Sequence, residues 1–272
     1  MFVFPGQFKG VGSRMVGIFQ LNWRSRSKAA GLHLSLSILI AILAGLLVFM
    51  LWFPSPFGEI SGGRSLFGIV VAVDVVLGPL LTWLVFDLRK PRGELVRDLA
   101  TIGLMQLMAL GYGLWSVYQA RPVYLVYEVD RFVVVSAADV DPADLPAALP
   151  EFQKLPFSGI RVIGIRESKD GQERLRSFEL ALAGKDRSLR PDYWQELSEA
   201  NRTLMRQRAL PLRTLMARSV EDREALTRWL AANDRSENEL LYLPVTGADA
   251  VWTVLIDVKT LEFVDYVAID GF

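Results

Sequence analysis

The sequence predicts a membrane protein: three transmembrane α-helices followed by an α+β extracytoplasmic domain. The first observation is a set of long runs without charge. From Ala29 to Phe53 and from Leu99 to Ala120 there is no Asp, Glu, Lys or Arg, and from Ser65 to Phe86 the only one is Asp74. Each run meets the roughly 20 apolar residues needed to cross about 30 Å of hydrocarbon as a helix. The second observation is the change in pattern after residue 120, where short alternating segments and charged stretches replace the apolar runs. The expected organisation is a tail at 1–28, a membrane domain at 29–120 with spans at about 29–53, 65–86 and 99–120, and an outer domain at 121–272.

The 30 basic and 30 acidic residues cancel in total but not in place. Before the first span stand Lys9, Arg14, Arg24, Arg26 and Lys28 with no acid, and between the second and third stand Arg89, Lys90, Arg92 and Arg97. The loop between the first two spans holds only Glu59 and Arg64. The positive-inside rule therefore puts the N-terminus in the cytoplasm and the C-terminal domain on the far, extracytoplasmic side. The first run ends at Trp52-Phe53-Pro54 without a small-residue cleavage pattern, so it reads as a retained anchor rather than a removed leader.

Residues 1–28 are basic and rich in Gly and Ser, and read as an irregular cytoplasmic tail. His33, one turn inside the first span, is the chain's only histidine, with Ser37 on its face. A packing or interfacial role is expected of it, since a lone histidine without acidic or thiol neighbours makes no metal site. The link Pro54–Gly63 reads as a tight turn, Pro and Gly being its punctuation.

The second span holds the most informative stretch. Asp74, Leu77, Gly78 and Leu81 share one helical face, and Gly78 admits another backbone closely. Pro79 removes a helical hydrogen bond and predicts a kink near Val75. An intramembrane carboxyl faces protein or water rather than lipid. In the third span, Gln106, Ala109, Gly113 and Ser116 form a mostly small stripe. At ~1.5 Å per residue, Asp74 falls ~10 Å and Gln106 ~20 Å below the outer boundary. That separation disfavours a bond between them and makes Tyr112 the expected partner of Asp74. Two uses of this face stay open: setting the register of the bundle, or recognising a partner's membrane helix.

The outer domain opens with Arg121–Val129, alternating and β-branched, paired through a turn at Asp130 with Arg131–Ser136. The proline-rich segment 141–156 reads as a linker with a short turn, and Ile160–Ile165 as a strand. Helices are expected near 192–208 and 219–232, the second opened by Ser219 with acids behind it. The remaining charges of 166–235 read as solvated helical faces, and their mixed sign argues against a nucleic-acid surface. Strands at 239–245, 250–258 and 261–269 close the chain, the last two as a hairpin through Lys259-Thr260.

Little in these residues suggests chemistry. With no cysteine there is no thiolate site, and with one histidine there is no Ser-His-Asp set outside the membrane. No phosphate-binding glycine loop is present, and an intramembrane aspartyl protease needs a second carboxylate. No enzyme activity, cofactor or metal is expected.

Taken in order, Lys28-Ala-Ala-Gly-Leu-His-Leu-Ser-Leu-Ser37, Val73-Asp-Val-Val-Leu-Gly-Pro-Leu-Leu-Thr82, Lys90, Arg97-Asp-Leu99, Gln106-Leu107, Ala109-Leu-Gly-Tyr-Gly113 and Arg121-Pro-Val123 resemble the TfpX/TfpZ type IV pilin accessory proteins of the bacterial inner membrane. Leu241-Tyr-Leu-Pro244 and the final hairpin extend the likeness more loosely, while the segment before about Trp23 departs from it. The resemblance implies a chaperone-like accessory protein that works with a major type IV pilin, through its transmembrane helix and head domain, and supports pilus assembly. The residues expected to pack the bundle or bind the partner are His33, Asp74, Gly78, Pro79, Gln106, Tyr112, Gly113 and Arg121. The alternatives are an enzyme modifying pilin or a lipid-linked substrate, and a structural subunit of the assembly platform.

Overall fold

A computed structural model describes residues 11–272, with side chains from Trp23 onward. The expectations for residues 1–10 lie outside the described residues. Helix α1, Val11–Leu47, runs on through a π-helical turn at Val48–Trp52. It therefore extends upstream into the segment read from sequence as an irregular tail. From Ile18 to Ala30 the chain has no Pro or Gly to end a helix, and its Lys, Arg and Ala favour one.

Among the described residues, three stretches are long and apolar enough to cross a membrane: Trp23–Trp52, Gly63–Val85 and Arg92–Gln119. The second is composite, with α3 at Gly63–Ala72, a π-helical segment at Val73–Leu77 and α4 at Gly78–Val85. The short helix α2, Phe57–Ile60, precedes it, and α5, Arg92–Gln119, is the third span. The spans expose apolar side chains such as Leu43, Val76 and Leu107, the pattern of helices solvated by lipid.

Contacts divide the chain into two units, one of residues 1–46 and 65–116, the other of 47–64 and 117–272. The link between the first two spans thus belongs to the outer unit, where sequence suggested a simple turn. Phe57 and Ile60 are buried in the same apolar cluster as Leu125, Phe132, Leu243 and Val245. The Ile60 carbonyl accepts the amide protons of Asp249 at 3.2 Å and Ala250 at 3.4 Å. Gly247 permits this, because a Cβ there would lie 2.2 Å from that carbonyl oxygen. The Pro and Gly of the link dictate its turns and say nothing of where Phe57 and Ile60 go.

The outer unit is built on an eight-stranded mixed sheet. Its strands are β1 Pro122–Glu128, β2 Arg131–Ser136, β3 Arg161–Ile165, β4 Trp194–Gln195, β5 Leu210–Pro211, β6 Leu240–Thr246, β7 Val251–Asp257 and β8 Phe263–Val267. The order is β4-β3-β1-β2-β6-β7-β8, with β5 paired to β6. Strands β1 and β3 are parallel, as are β2 and β6, while the hairpins β1–β2, β6–β7 and β7–β8 are antiparallel. Central strand β1 is buried on both faces. Tyr124 and Val126 point into one apolar cluster and Leu125 and Tyr127 into another, the alternation a strand imposes. The Tyr127 hydroxyl donates to the Val129 carbonyl at 2.8 Å, and burial pushes its ionisation up to about 12.

Helices α6 Gly171–Leu182, α7 Glu199–Arg208, α8 Leu212–Met216 and α9 Val220–Ala232 complete the unit. The start of α9 is as expected, Ser219 Oγ accepting from the Asp222 amide at 2.9 Å. The helix expected at 192–208 begins only at Glu199, because Pro191–Tyr193 is a 3-10 turn and Trp194-Gln195 pairs with β3. Helix α6 was not anticipated. Its Leu175, Phe178 and Leu182 face outward, so no apolar face turned to the core advertises it. The legible signal was Asp170 three residues before Glu173, and Asp170 Oδ1 does accept the Glu173 amide at 2.8 Å.

The start of α6 is fastened by Arg166. Its guanidinium donates to both Glu173 carboxylate oxygens, at 2.7 and 3.0 Å, and to the Asp192 carbonyl at 2.9 Å. Arg166 and Arg190 both lie over the Tyr193 ring, 4.3 and 4.5 Å from its centroid. The Arg166 pairing, with the Lys169 amide, holds the Glu173 carboxyl down to about 2, against an ordinary 4.5. A depressed carboxylate stabilises the fold above its ordinary value, and that contribution is lost as pH falls from about 4.5 through about 2. Acid unfolding followed by tryptophan fluorescence in neutral micelles should be displaced in Glu173→Gln, whose stability varies less with pH over that window. In the core, Ile60→Ala should destabilise the outer unit by about 2–5 kcal/mol, measured by denaturant titration. Gly247→Ala should also destabilise it, because its Cβ meets backbone and not a movable side chain.

Candidate functional site

The feature of the membrane unit with most functional content is built around Asp74. The π-helical segment Val73–Leu77 has hydrogen bonds reaching back five residues instead of four. In that register the donor for the Asp74 carbonyl is residue 79, which is proline and has no N–H. The orphaned carbonyl is taken by the third span, Gln106 Nε2 donating to it at 3.1 Å. A carbonyl only accepts, so the Gln106 amide must present its NH2 here and its Oε1 elsewhere. Gly78 makes the approach possible, since a Cβ there would lie 1.8 Å from Nε2.

This arrangement corrects the depth argument. Asp74 lies eleven residues in from Gly63 and Gln106 thirteen residues in from Gln119. At ~1.5 Å per residue the depths are ~16 and ~20 Å, close enough to meet. The second span starts earlier than its apolar run, which moved Asp74 down. Tyr112, the partner expected from sequence, is 70% exposed and lies against Trp115, with ring centroids 5.8 Å apart.

The Asp74 side chain is 8% exposed, and its Oδ1 is buried without a hydrogen-bond partner. It lines a cleft of about 180 Å³ with His33, Ser37 and Gln106. Span one contributes residues 33, 36, 37 and 40, and span three residues 103, 106, 107 and 110. Each set has the i, i+3, i+4, i+7 spacing of one helical face. His33 Nδ1 is 2.6 Å from Thr82 Oγ1, a bond that joins the first span to the second and orients the ring. His33, Asp74 and Gln106 therefore come together, with Gly78 and Pro79 buried beside them. Ser37 joins them in the cleft, a residue noted from sequence only as sharing the face of His33.

The other residues singled out from sequence serve packing elsewhere. Gly113 lies against Val70, whose Cγ2 would be 2.7 Å from a Cβ. The stripe of small residues is therefore used inside the bundle at this point. Arg121 is 4% exposed and lies in the outer unit, its Nη1 on the Tyr118 carbonyl at 2.8 Å and its Nε and Nη2 on the Pro156 carbonyl at 3.2 and 3.0 Å. Burial lowers its guanidinium pKa, and the Tyr118 ring lies 3.7 Å from it. It fastens the start of β1 to the preceding helix end and to the segment before β3.

The outer unit has its own concave surface, a cleft of about 410 Å³ whose lining includes Tyr127, Arg166, Gln195, Asn201 and Arg208. Asn201 is committed structurally, its Nδ2 donating to the Ile165 carbonyl at 3.2 Å and its Oδ1 accepting from Ser198 and Gln195. Arg166 is likewise held by Glu173.

Substitution of Gly78 tests the geometry at Asp74. Gly78→Ala should displace the Gln106 amide and leave the Asp74 carbonyl unpaired, at a cost of about 1–3 kcal/mol. Thermal unfolding in neutral micelles should show the loss. The Gly78→Ala, Gln106→Ala double variant should lose less than the sum of the two single changes, because they break one interaction.

The model of the family described as fimbrial assembly protein FimB matches residues 21–62. The chain is 33% identical over 248 residues to the fimbrial assembly protein of serogroup I from Dichelobacter nodosus, covering 90% of this chain and 96% of that one. It is 32% identical over the same length to the serogroup E1 protein of that organism, with the same coverage. A third, the fimbrial assembly protein of serogroups C1 and C2, is 37% identical over 122 residues, 45% of this chain and 93% of that protein. No solved structure matches the chain. Near-complete coverage at this level of identity, through the spans and the outer sheet alike, makes the chain a member of the fimbrial assembly protein family.

Proposed function

We propose that this protein is a non-enzymatic accessory factor of type IV pilus biogenesis. In this reading it sits in the bacterial inner membrane with its N-terminus in the cytoplasm and its sheet domain in the periplasm. There it binds and steadies the major pilin before assembly, in the manner of the TfpX/TfpZ proteins it resembles. The observation that carries the reading is the cleft on three spans, where a buried carboxyl has no hydrogen-bond partner. A chain that holds a polar cleft between membrane helices and also carries a folded domain can engage a client with one apolar helix and a globular head. The fimbrial assembly relatives support the setting, and the charge asymmetry of the loops supports the orientation.

The test is co-purification. Protein solubilised in neutral detergent should bring down the major pilin of the same cell, and pilin should leave the preparation when the cleft is filled by Ser37→Leu. Stable recovery with the assembly platform and no pilin would replace this reading with a structural one. Pilin whose mass differs between wild-type and deletion strains would replace it with an enzymatic one.

A further inference from the structure

We propose that the cleft at Asp74 receives an alkylammonium group carried by a partner's membrane-spanning helix. The proposal deepens the reading above and rests on it for the nature of the partner. The four polar residues of the cleft offer acceptors in excess. Asp74 supplies a carboxyl with no hydrogen bond from any described residue, and its Oδ1 is sealed from solvent. Gln106 has turned its NH2 to the Asp74 carbonyl, and its Oε1 accepts no hydrogen bond among the described residues. Ser37 is 5% exposed and its hydroxyl both accepts and donates. His33 is committed at Nδ1 to Thr82.

A buried carboxylate without a hydrogen-bond donor is costly in a medium of low dielectric, and the same medium strengthens its attraction for a cation that brings donors; His33, which lines the same cleft, gives Asp74 no hydrogen bond. A primary ammonium has three N–H donors, which suits a carboxylate, an amide oxygen and a hydroxyl gathered at one place. The walls select further. Leu36, Ile40 and Leu110 line the rest of the cleft and suit an alkyl stem, where a small hydrated ion would be stripped of water against hydrocarbon. An anionic ligand is opposed by the carboxylate. The π-helical segment supports a binding role independently. It turns the ladder at Asp74 out of α-register, and such bulges recur at functional sites.

The full-length protein in dodecyl maltoside micelles is titrated with n-octylammonium chloride. n-Octanol serves as the neutral control and octyltrimethylammonium as a cation without N–H donors. The expected result is a saturable rise in thermal midpoint with octylammonium, at an apparent affinity at least tenfold better than either control and at least tenfold weakened in Asp74→Asn. An equal response to octanol, or undiminished binding in Asp74→Asn, overturns the proposal. The comparison among the three compounds on wild-type protein decides the matter even where the variant does not fold. A single-span peptide bearing one lysine should displace octylammonium, and its leucine counterpart should not. Displacement by phosphatidylethanolamine as effective as by the lysine peptide assigns the site to lipid and overturns the helix assignment. Pilin that co-purifies equally with wild type and with an Asp74→Asn protein that no longer binds octylammonium leaves the accessory role standing and removes this cleft from it.

Discussion

The outer unit depends on a piece of chain that comes from between two membrane spans. Ile60 is fully buried and its carbonyl caps the turn at Asp249 and Ala250. Phe57, one turn earlier, packs edge-on to Tyr266 of the edge strand, with centroids 5.3 Å apart. A loop that only joined two helices would leave these side chains in water. Placed in the sheet's apolar cluster, they bury surface on both sides, and the Leu51 carbonyl accepts the Gly159 amide at 3.1 Å to extend the attachment. The end of the first helix and the approach to the second are therefore parts of the domain's core.

The membrane unit rests on a second substitution of partners. Pro79 removes a backbone donor, the π-register passes the deficit to the Asp74 carbonyl, and Gln106 supplies the missing hydrogen bond from another helix. Lipid supplies no hydrogen bond, so leaving this carbonyl unpaired would cost about 1–3 kcal/mol. Gly78 is then explained by the volume of the Gln106 amide. This consumes the face that sequence suggested for a partner and leaves the Asp74 side chain as the open feature. The polar groups of the spans divide accordingly: Gln106 and Thr82 hold helices together, and the Asp74 carboxyl remains available.

The same economy appears in the sheet domain, where Arg166 and Arg121 are structural. Arg166 holds Glu173 and the backbone at Asp192, and Arg121 ties three backbone regions through two carbonyls. The buried Arg121 guanidinium, placed on carbonyls and an aromatic ring, satisfies its donors without a matching acid. These residues fix the ends of α6, β1 and β4, and the clefts beside them are consequences of that framework.

Much was legible in the residues alone. Freedom from charge over membrane-length runs determined the number of spans, because hydrocarbon excludes charge whatever the tertiary arrangement. Alternation determined the strands of β1, β2 and the closing hairpin, and Ser219 marked the start of α9. Helix α6 was hidden because its apolar residues face outward, and the cap at Asp170 was its only signal. Tertiary structure alone decided that the Pro54–Gly63 link joins the sheet core, since turn residues describe a chain's local path and not what its side chains meet. It also decided that Asp74 meets Gln106 and not Tyr112. Helix depth depends on where a helix begins, and the second span begins at Gly63, ahead of the edge of its apolar run.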